Sequence, residues 1–151
     1  MRWPVQLFLV VSALALLGAC GSAPPPLLQG SIKTDPAVNP DARGRPSPVV
    51  VRIYELKSTA AFNSADFFSL FEKESETLAG DLVGRDEVDL PPAETRPYKR
   101  QLQPDTKFIG VVAAFRDLEN SRWRQAAAVP AKRKVTVTIG IEAKAVTVAV
   151  K

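Results

Sequence analysis

The clearest alternation of apolar and polar positions lies near the C-terminus. Val135, Val137, Ile139 and Ile141 alternate with Lys134, Thr136, Thr138 and Gly140. Val146, Val148 and Val150 alternate in the same way with Ala145, Thr147 and Ala149. In an extended chain, period two puts each set on one face. The pair therefore predicts a hairpin with one dry face and a turn holding Glu142 and Lys144. Ser47 to Leu56, SPVVVRIYEL, carries the strongest single strand and is the block around which the other elements are arranged. Val49, Val51 and Ile53 fall on its dry face, with Val50, Arg52, Tyr54 and Leu56 on the other. That mixed second face predicts an interior strand with Arg52 and Tyr54 beneath the segment that follows.

Lys107 to Phe115, KFIGVVAAF, is nearly all apolar and reads as a strand buried on both sides, with Gly110 permitting close approach. Weaker strands are predicted over Leu28 to Thr34, Arg85 to Leu90 and Trp123 to Val129. Glu94 to Gln103 reads as a polar edge strand, where Pro97, Lys99 and Arg100 are tolerated. Gly30 should weaken the first of these strands. Helical spacing occurs in one region: Phe67, Leu70 and Phe71 recur after Asn63 and Ser64, the N-cap candidates. A second short helix is predicted from about Ser75 to Val83, ended by Gly84. Phe62, Phe67, Phe68 and Phe71 are expected to plug one end of the core. About eight short strands with one or two inserted helices make the fold class mainly β, a two-sheet sandwich.

Asp35 to Pro48, DPAVNPDARGRPSP, carries four prolines and turn chemistry at Asn39-Pro40-Asp41 and Arg43-Gly44-Arg45. It is long for a connection between two strands. Either it is an idle solvated loop, or it is a recognition loop held by a rigid scaffold.

The first residues belong to a different class. Arg2 precedes an almost wholly apolar run from Val5 to Leu17, too short to span a bilayer and typical of a secretory leader. An ordinary cut near Ala23 is one reading. Leu17-Gly18-Ala19-Cys20 argues for another, because it resembles the bacterial lipobox, in which the cysteine is acylated. Residues 1–19 are then the signal peptide. Residues 20–27 carry the lipidated Cys20 and a proline-rich tether, and residues 28–151 form the sandwich domain. Three acyl chains suffice for stable anchoring. Gly21 follows the cysteine in place of the Asp that tends to retain lipoproteins at the inner membrane, which favours the outer membrane. Cys20 is the one cysteine, so the mature domain has no disulfide.

Composition narrows the chemistry. The chain has no His, which removes His-based triads and the usual zinc and iron ligand sets. It also lacks a GxSxG motif and a phosphate-binding glycine loop. Glu72, Glu74 and Glu76, and Asp86, Glu87 and Asp89, fall on predicted helix and strand surfaces instead of facing across a cleft. No enzyme activity, cofactor or metal is expected beyond the acyl chains on Cys20. Without the leader, 19 basic residues face 16 acidic ones, and only Lys132, Arg133 and Lys134 cluster. That excess is too mild for a nucleic-acid groove binder. The cluster is either a solubilising turn or a contact for anionic head groups.

Taken together, the chain resembles the TssJ family (SciN/VasD type), the outer-membrane lipoproteins of type VI secretion. The resemblance rests on the lipobox at Cys20, Asn39-Pro40-Asp41 with Gly44, SPVVVRIYEL, and Phe67-Phe68-Ser69-Leu70-Phe71. It extends to Gly110 through Asp117 followed by Trp123-Arg124. Such a resemblance implies a transthyretin-like sandwich and a non-enzymatic role in the periplasm. The lipoprotein would bind the periplasmic domain of TssM within a membrane complex that includes TssL. The implied contact is the loop between the first two strands, here Asp35, Asn39, Pro40, Asp41, Arg43, Gly44 and Arg45. Two other readings stay open: an envelope lipoprotein holding a small ligand in its sandwich, and a carboxylate-based cell-wall hydrolase.

Overall fold

The computed structural model describes residues 24–151. The leader and Cys20 lie outside the described residues. Eight strands follow in order: β1 (Leu27–Thr34), β2 (Val49–Leu56), β3 (Leu82–Leu90), β4 (Thr95–Gln101), β5 (Phe108–Ala113), β6 (Arg124–Ala128), β7 (Lys134–Ile141) and β8 (Val146–Val150). Three short helices stand between β2 and β3: α1 (Ala60–Ser64), α2 (Phe67–Glu72) and α3 (Glu74–Leu78). A 3₁₀ turn at Ala79–Asp81 follows them. The strands form two four-stranded sheets, ordered β4-β1-β7-β8 and β3-β2-β5-β6, as expected for a transthyretin-like sandwich. All neighbours are antiparallel except β1 and β7, which run parallel.

Between the sheets lies the main core. Leu28 and Ile32 of β1, Val51 and Ile53 of β2, Val111 of β5, and Val137 and Ile139 of β7 are fully or almost fully buried there. Each such aliphatic side chain contributes about 1.5–3 kcal/mol relative to an exposed one. A second core lies under the helices. Tyr54 and Leu56 present the other face of β2 to Phe62, Leu70 and Leu78, all buried. Arg52 and Tyr54 do sit beneath the helices. The Tyr54 hydroxyl donates to the Leu70 carbonyl at 3.0 Å. Arg52 reaches the Phe71 carbonyl and pairs with Glu74 at 2.8 Å. Burial pushes the Tyr54 pKa up to about 12, so the hydroxyl stays a donor.

Local details of the helical region differ from the sequence reading. There are three helices plus a 3₁₀ turn, not one or two. The cap of α2 is Asp66, not Asn63 or Ser64, which lie inside and at the end of α1. Asp66 accepts from the Ser69 N–H at 2.9 Å and from its hydroxyl at 2.6 Å, satisfying an otherwise unpaired donor. The helix expected to run to Val83 ends at Leu78, because Ala79 adopts a positive φ of 43°. Leu82 and Val83 instead open β3, and Gly84 lies inside that strand, not at a helix end. The phenylalanine plug is partial: Phe62 is buried, Phe67 and Phe71 half-buried, and Phe68 is 59% exposed.

Both open sides of the sandwich are bridged. On one side, Glu55 of β2 is buried and ion-paired with Arg100 of β4, in the opposite sheet. Its second oxygen accepts from the Gln103 N–H at 2.8 Å and the Thr106 hydroxyl at 2.6 Å. On the other, the Gln125 side chain of β6 accepts from the Val148 N–H of β8 at 2.9 Å.

Candidate partner interface

β1 sets the polarity of the molecule. The proline segment enters at Leu27, and the 35–48 loop leaves after Thr34 at the far end. Eight residues of strand separate them, about 25 Å at roughly 3.3 Å per residue. The loop is built from backbone and short polar side chains. Asp35 starts it: its carboxylate accepts from the Ala37 N–H at 2.7 Å, and its own N–H donates to Ile141 at 2.8 Å. Val38 is then fully buried and joins the main core.

Asn39 turns the chain with φ of 49°, a left-handed conformation that Asn adopts more readily than most residues. Only 4% exposed, it ties three segments together. Its side-chain amide donates to the Pro48 carbonyl at 2.8 Å, and its side-chain oxygen accepts from the Arg116 N–H at 2.8 Å. Its backbone N–H donates to Ala143 at 2.9 Å.

Beyond Pro40, Asp41 organises the tip. Its carboxylate accepts from the N–H groups of Arg43 and Arg45 at 2.8 and 3.0 Å, and from Arg45 Nε at 2.8 Å. Gly44 holds φ of 76°, which favours glycine. The Arg45 backbone and side chain hold the Asp41 carboxyl below its ordinary range. Arg45 thus spends part of its guanidinium on Asp41, while its side chain is 71% exposed. Arg43 is exposed and forms no ion pair among the described residues.

The candidate residues therefore divide by role. Asp35, Asn39, Asp41 and Gly44 shape the loop, while Pro40, Arg43 and Arg45 lie toward its surface. Beside the tip runs a groove lined by Pro40, Asp41 and Ala42 on one wall and Arg116, Asp117 and Lys144 on the other. Lys144 donates to Asp117 at 2.7 Å, and this contact holds the Asp117 carboxyl below its usual range. Sequence reasoning did not assign Arg116, Asp117 and Lys144 to the site. They come from β5–β6 and β7–β8 connections far along the chain, and no local pattern places them beside residue 40.

Among the described residues no three His, Cys, Asp or Glu side chains converge on a possible metal site. Of the carboxylates considered for hydrolysis, Glu74 is engaged by Arg52 and Arg85, Glu87 by Arg52 and Asp86 by Arg100, while Glu72, Glu76 and Asp89 are exposed at the surface. Among the described residues no helix is long and apolar enough to cross a membrane.

Comparisons with known proteins agree on one family. Residues 27–144 match the family model of the type VI secretion lipoproteins VasD, EvfM and TssJ. No curated protein matches the chain. Among solved structures, the T6SS lipoprotein TssJ1 from Pseudomonas aeruginosa is 39% identical with a TM-score of 0.80, over 85% of this chain and 98% of that one. Serratia marcescens Lip, a membrane-bound component of the type VI secretion system, is 25% identical with a TM-score of 0.76, over 82% and 96%. A chain of the structure described as the T6SS protein TssM C-terminal domain (869-1107) from EAEC is 30% identical, with a TM-score of 0.67, over 82% and 97%. With the family model matching most of the chain and the TssJ1 structure 39% identical over nearly its whole length, the chain belongs to the TssJ (SciN/VasD) family of type VI secretion lipoproteins.

Proposed function

We propose that this lipoprotein is held in the outer membrane by acyl chains on Cys20 and binds the periplasmic domain of TssM through the 35–48 loop. It would act without catalysis, as a subunit of the membrane complex that also contains TssL. The observation that carries this reading is the polarity of β1, with the tether entering at one end and the loop leaving at the other. A membrane-tethered domain so built points its loop into the periplasm. The similarity to a chain in a type VI membrane complex, at 31% identity, supports the assembly. The 869–1107 stretch of TssM is longer than this whole chain, yet 82% of this chain covers 97% of the matched one. That length suits a lipoprotein beside the TssM domain, which supports the partner.

The test is titration calorimetry between the non-acylated domain and the TssM periplasmic domain. Arg43→Ala with Arg45→Ala is expected to weaken binding at least tenfold, about 1.4 kcal/mol, with the melting temperature nearly unchanged. Unchanged affinity in this variant, and in one whose 35–47 segment is replaced by a Gly-Ser turn, would move the interface away from the loop. Cys20→Ser should leave a folded protein that no longer fractionates with the outer membrane, and retention there would remove the anchor.

A further inference from the structure

At the end of the sandwich opposite the loop, the tether meets the basic cluster. Leu27 pairs with Lys134 in the parallel β1–β7 ladder and donates its N–H to the Arg133 carbonyl at 2.9 Å. The Gln101 side chain donates to the Pro26 carbonyl at 3.1 Å, holding the proline segment against β4. Pro24, Pro25 and Leu27 share a groove with Gln101, Arg133 and Lys134, an apolar strip flanked by cations. Lys99, Lys132, Arg133 and Lys134 are exposed, and among the described residues none pairs with a carboxylate.

The sheet face next to this end carries the same bias. The helices cover the β3-β2-β5-β6 sheet and leave the outer face of β4-β1-β7-β8 open. Its outward positions run in steps of two over 95–101, 27–33, 134–140 and 147–151. They hold Lys33, Lys99, Lys134 and Lys151 and no Asp or Glu. Elsewhere the surface mixes both signs, as in the Lys144–Asp117 and Arg45–Asp41 pairs at the loop end.

We propose that this tether-end basic surface, centred on Lys132, Arg133 and Lys134, binds anionic phospholipid head groups and seats the domain on the leaflet that holds its anchor. The seating rests on acylation at Cys20. Four peptide steps from Cys20 to Pro24 span at most about 14 Å at roughly 3.3–3.6 Å each. That distance is comparable to the screening length of about 8–10 Å at physiological salt, so the cations lie within reach of a charged surface. Each basic residue near an anionic membrane is worth about fivefold in partitioning, about 1 kcal/mol. The apolar strip of prolines and Leu27 matches the boundary between head groups and acyl chains. Seating this end fixes the domain upright, with the 35–48 loop facing away from the membrane.

The experiment uses the chain from Gly21, which contains every described element of the sandwich and lacks acyl chains. Its co-sedimentation is measured with phosphatidylcholine vesicles with and without phosphatidylglycerol. Binding is expected only with phosphatidylglycerol and should weaken with added salt. Lys132→Gln, Arg133→Gln and Lys134→Gln together should reduce it by about a hundredfold. The same charge change at Arg43, Lys73 and Arg122, away from this end and face, should cost far less. Equal binding to both vesicle types would overturn the proposal, as would an equal loss in the two variants. Loss of TssM binding in the first variant with vesicle binding intact would assign the patch to the protein partner and overturn it too. Should that variant fail to fold, acetylation of the wild-type chain followed by mass spectrometry still decides. Lys132 and Lys134 must be protected by anionic vesicles, and no protection refutes the idea. A Cys20 that carries no lipid when the protein is isolated from membranes would remove the anchor while leaving the vesicle result to stand or fall separately.

Discussion

The backbone N–H of Arg116 donates to the side-chain oxygen of Asn39 at 2.8 Å, joining residues 77 positions apart. Through this bond the β5–β6 connection holds the base of the 35–48 loop, and the Asn39 amide closes the loop on itself at Pro48. The base of the loop therefore depends on a buried side chain, not on the exposed arginines at its tip. Asn39→Ala removes both bonds, strands the Arg116 N–H and the Pro48 carbonyl, and places Ala at positive φ. It is expected to cost about 2 kcal/mol. Partner affinity should fall although Arg43 and Arg45 are intact. Urea unfolding with calorimetry checks both outcomes, and full stability in this variant would refute the structural role of Asn39.

A second dependence crosses the sandwich. Glu55 is 1% exposed, and its charge is met by Arg100 from the other sheet. Burial pulls the Arg100 pKa down, but the hydrogen bond and charge of Glu55, with Tyr98 and Asp86 adding to them, leave the guanidinium above its ordinary value. Arg100→Ala strands a buried carboxylate, an arrangement that costs about 3–5 kcal/mol. Arg100→Lys keeps the charge without the planar donor and should cost less. Chemical denaturation of the two variants gives the order, and equal losses would point to packing instead of charge.

The strands were legible where one face is dry and the other wet. Val135 to Ile141 and Val49 to Ile53 announce their buried faces by alternation alone. What pairs with what was not legible, because strand order depends on contacts distant in the chain. Nothing local in Leu28 to Ile32 says that β1 lies beside β7 in parallel and is interior to its sheet. By residue type Asp66 reads as an acid in the first turn, because Asn63 and Ser64 are equally good caps, and only the position of α1 decides. Asn39 read as a surface turn residue, since its two burying partners come from Pro48 and Arg116.

Gly30 carries the same lesson into energetics. Its missing side chain suggests a weak strand, yet a Cβ there would overlap the Val137 carbonyl oxygen of the neighbouring strand. The close approach of β1 to β7 depends on glycine. Gly30→Ala must push two central strands apart, and overpacking of this kind costs about 1–3 kcal/mol or more. The expected result is a large fall in melting temperature. By contrast Gly80, with open space around it, should accept Ala with little change. Comparable melting of the two variants would mean that β1 and β7 do not lie as close as described.

The tip of the loop gives a prediction in pH. Asp41 has a folded-state pKa below the ordinary aspartate value of 3.8, chiefly through the Arg45 backbone and side-chain bonds, with Arg43 and Arg116 adding to the effect. A depressed carboxyl stabilises the folded form fully above its unfolded pKa. That contribution is lost as pH falls from about 3.8 through the lower folded value. The Asp41 side chain lies at the loop surface with 20% of its area exposed, so the consequence is local order at the tip and not global stability. In a backbone-amide NMR titration, the Arg43 and Arg45 signals, whose N–H groups bond to Asp41, should shift together with a midpoint below 3.8. Arg45→Ala removes the guanidinium but keeps the backbone donors, so the midpoint should rise and remain below 3.8. Asp41→Asn should abolish the shared transition. A midpoint at or above 3.8 in the wild-type chain would show that Asp41 does not organise the tip, and the arginines beyond it would then be free to point elsewhere.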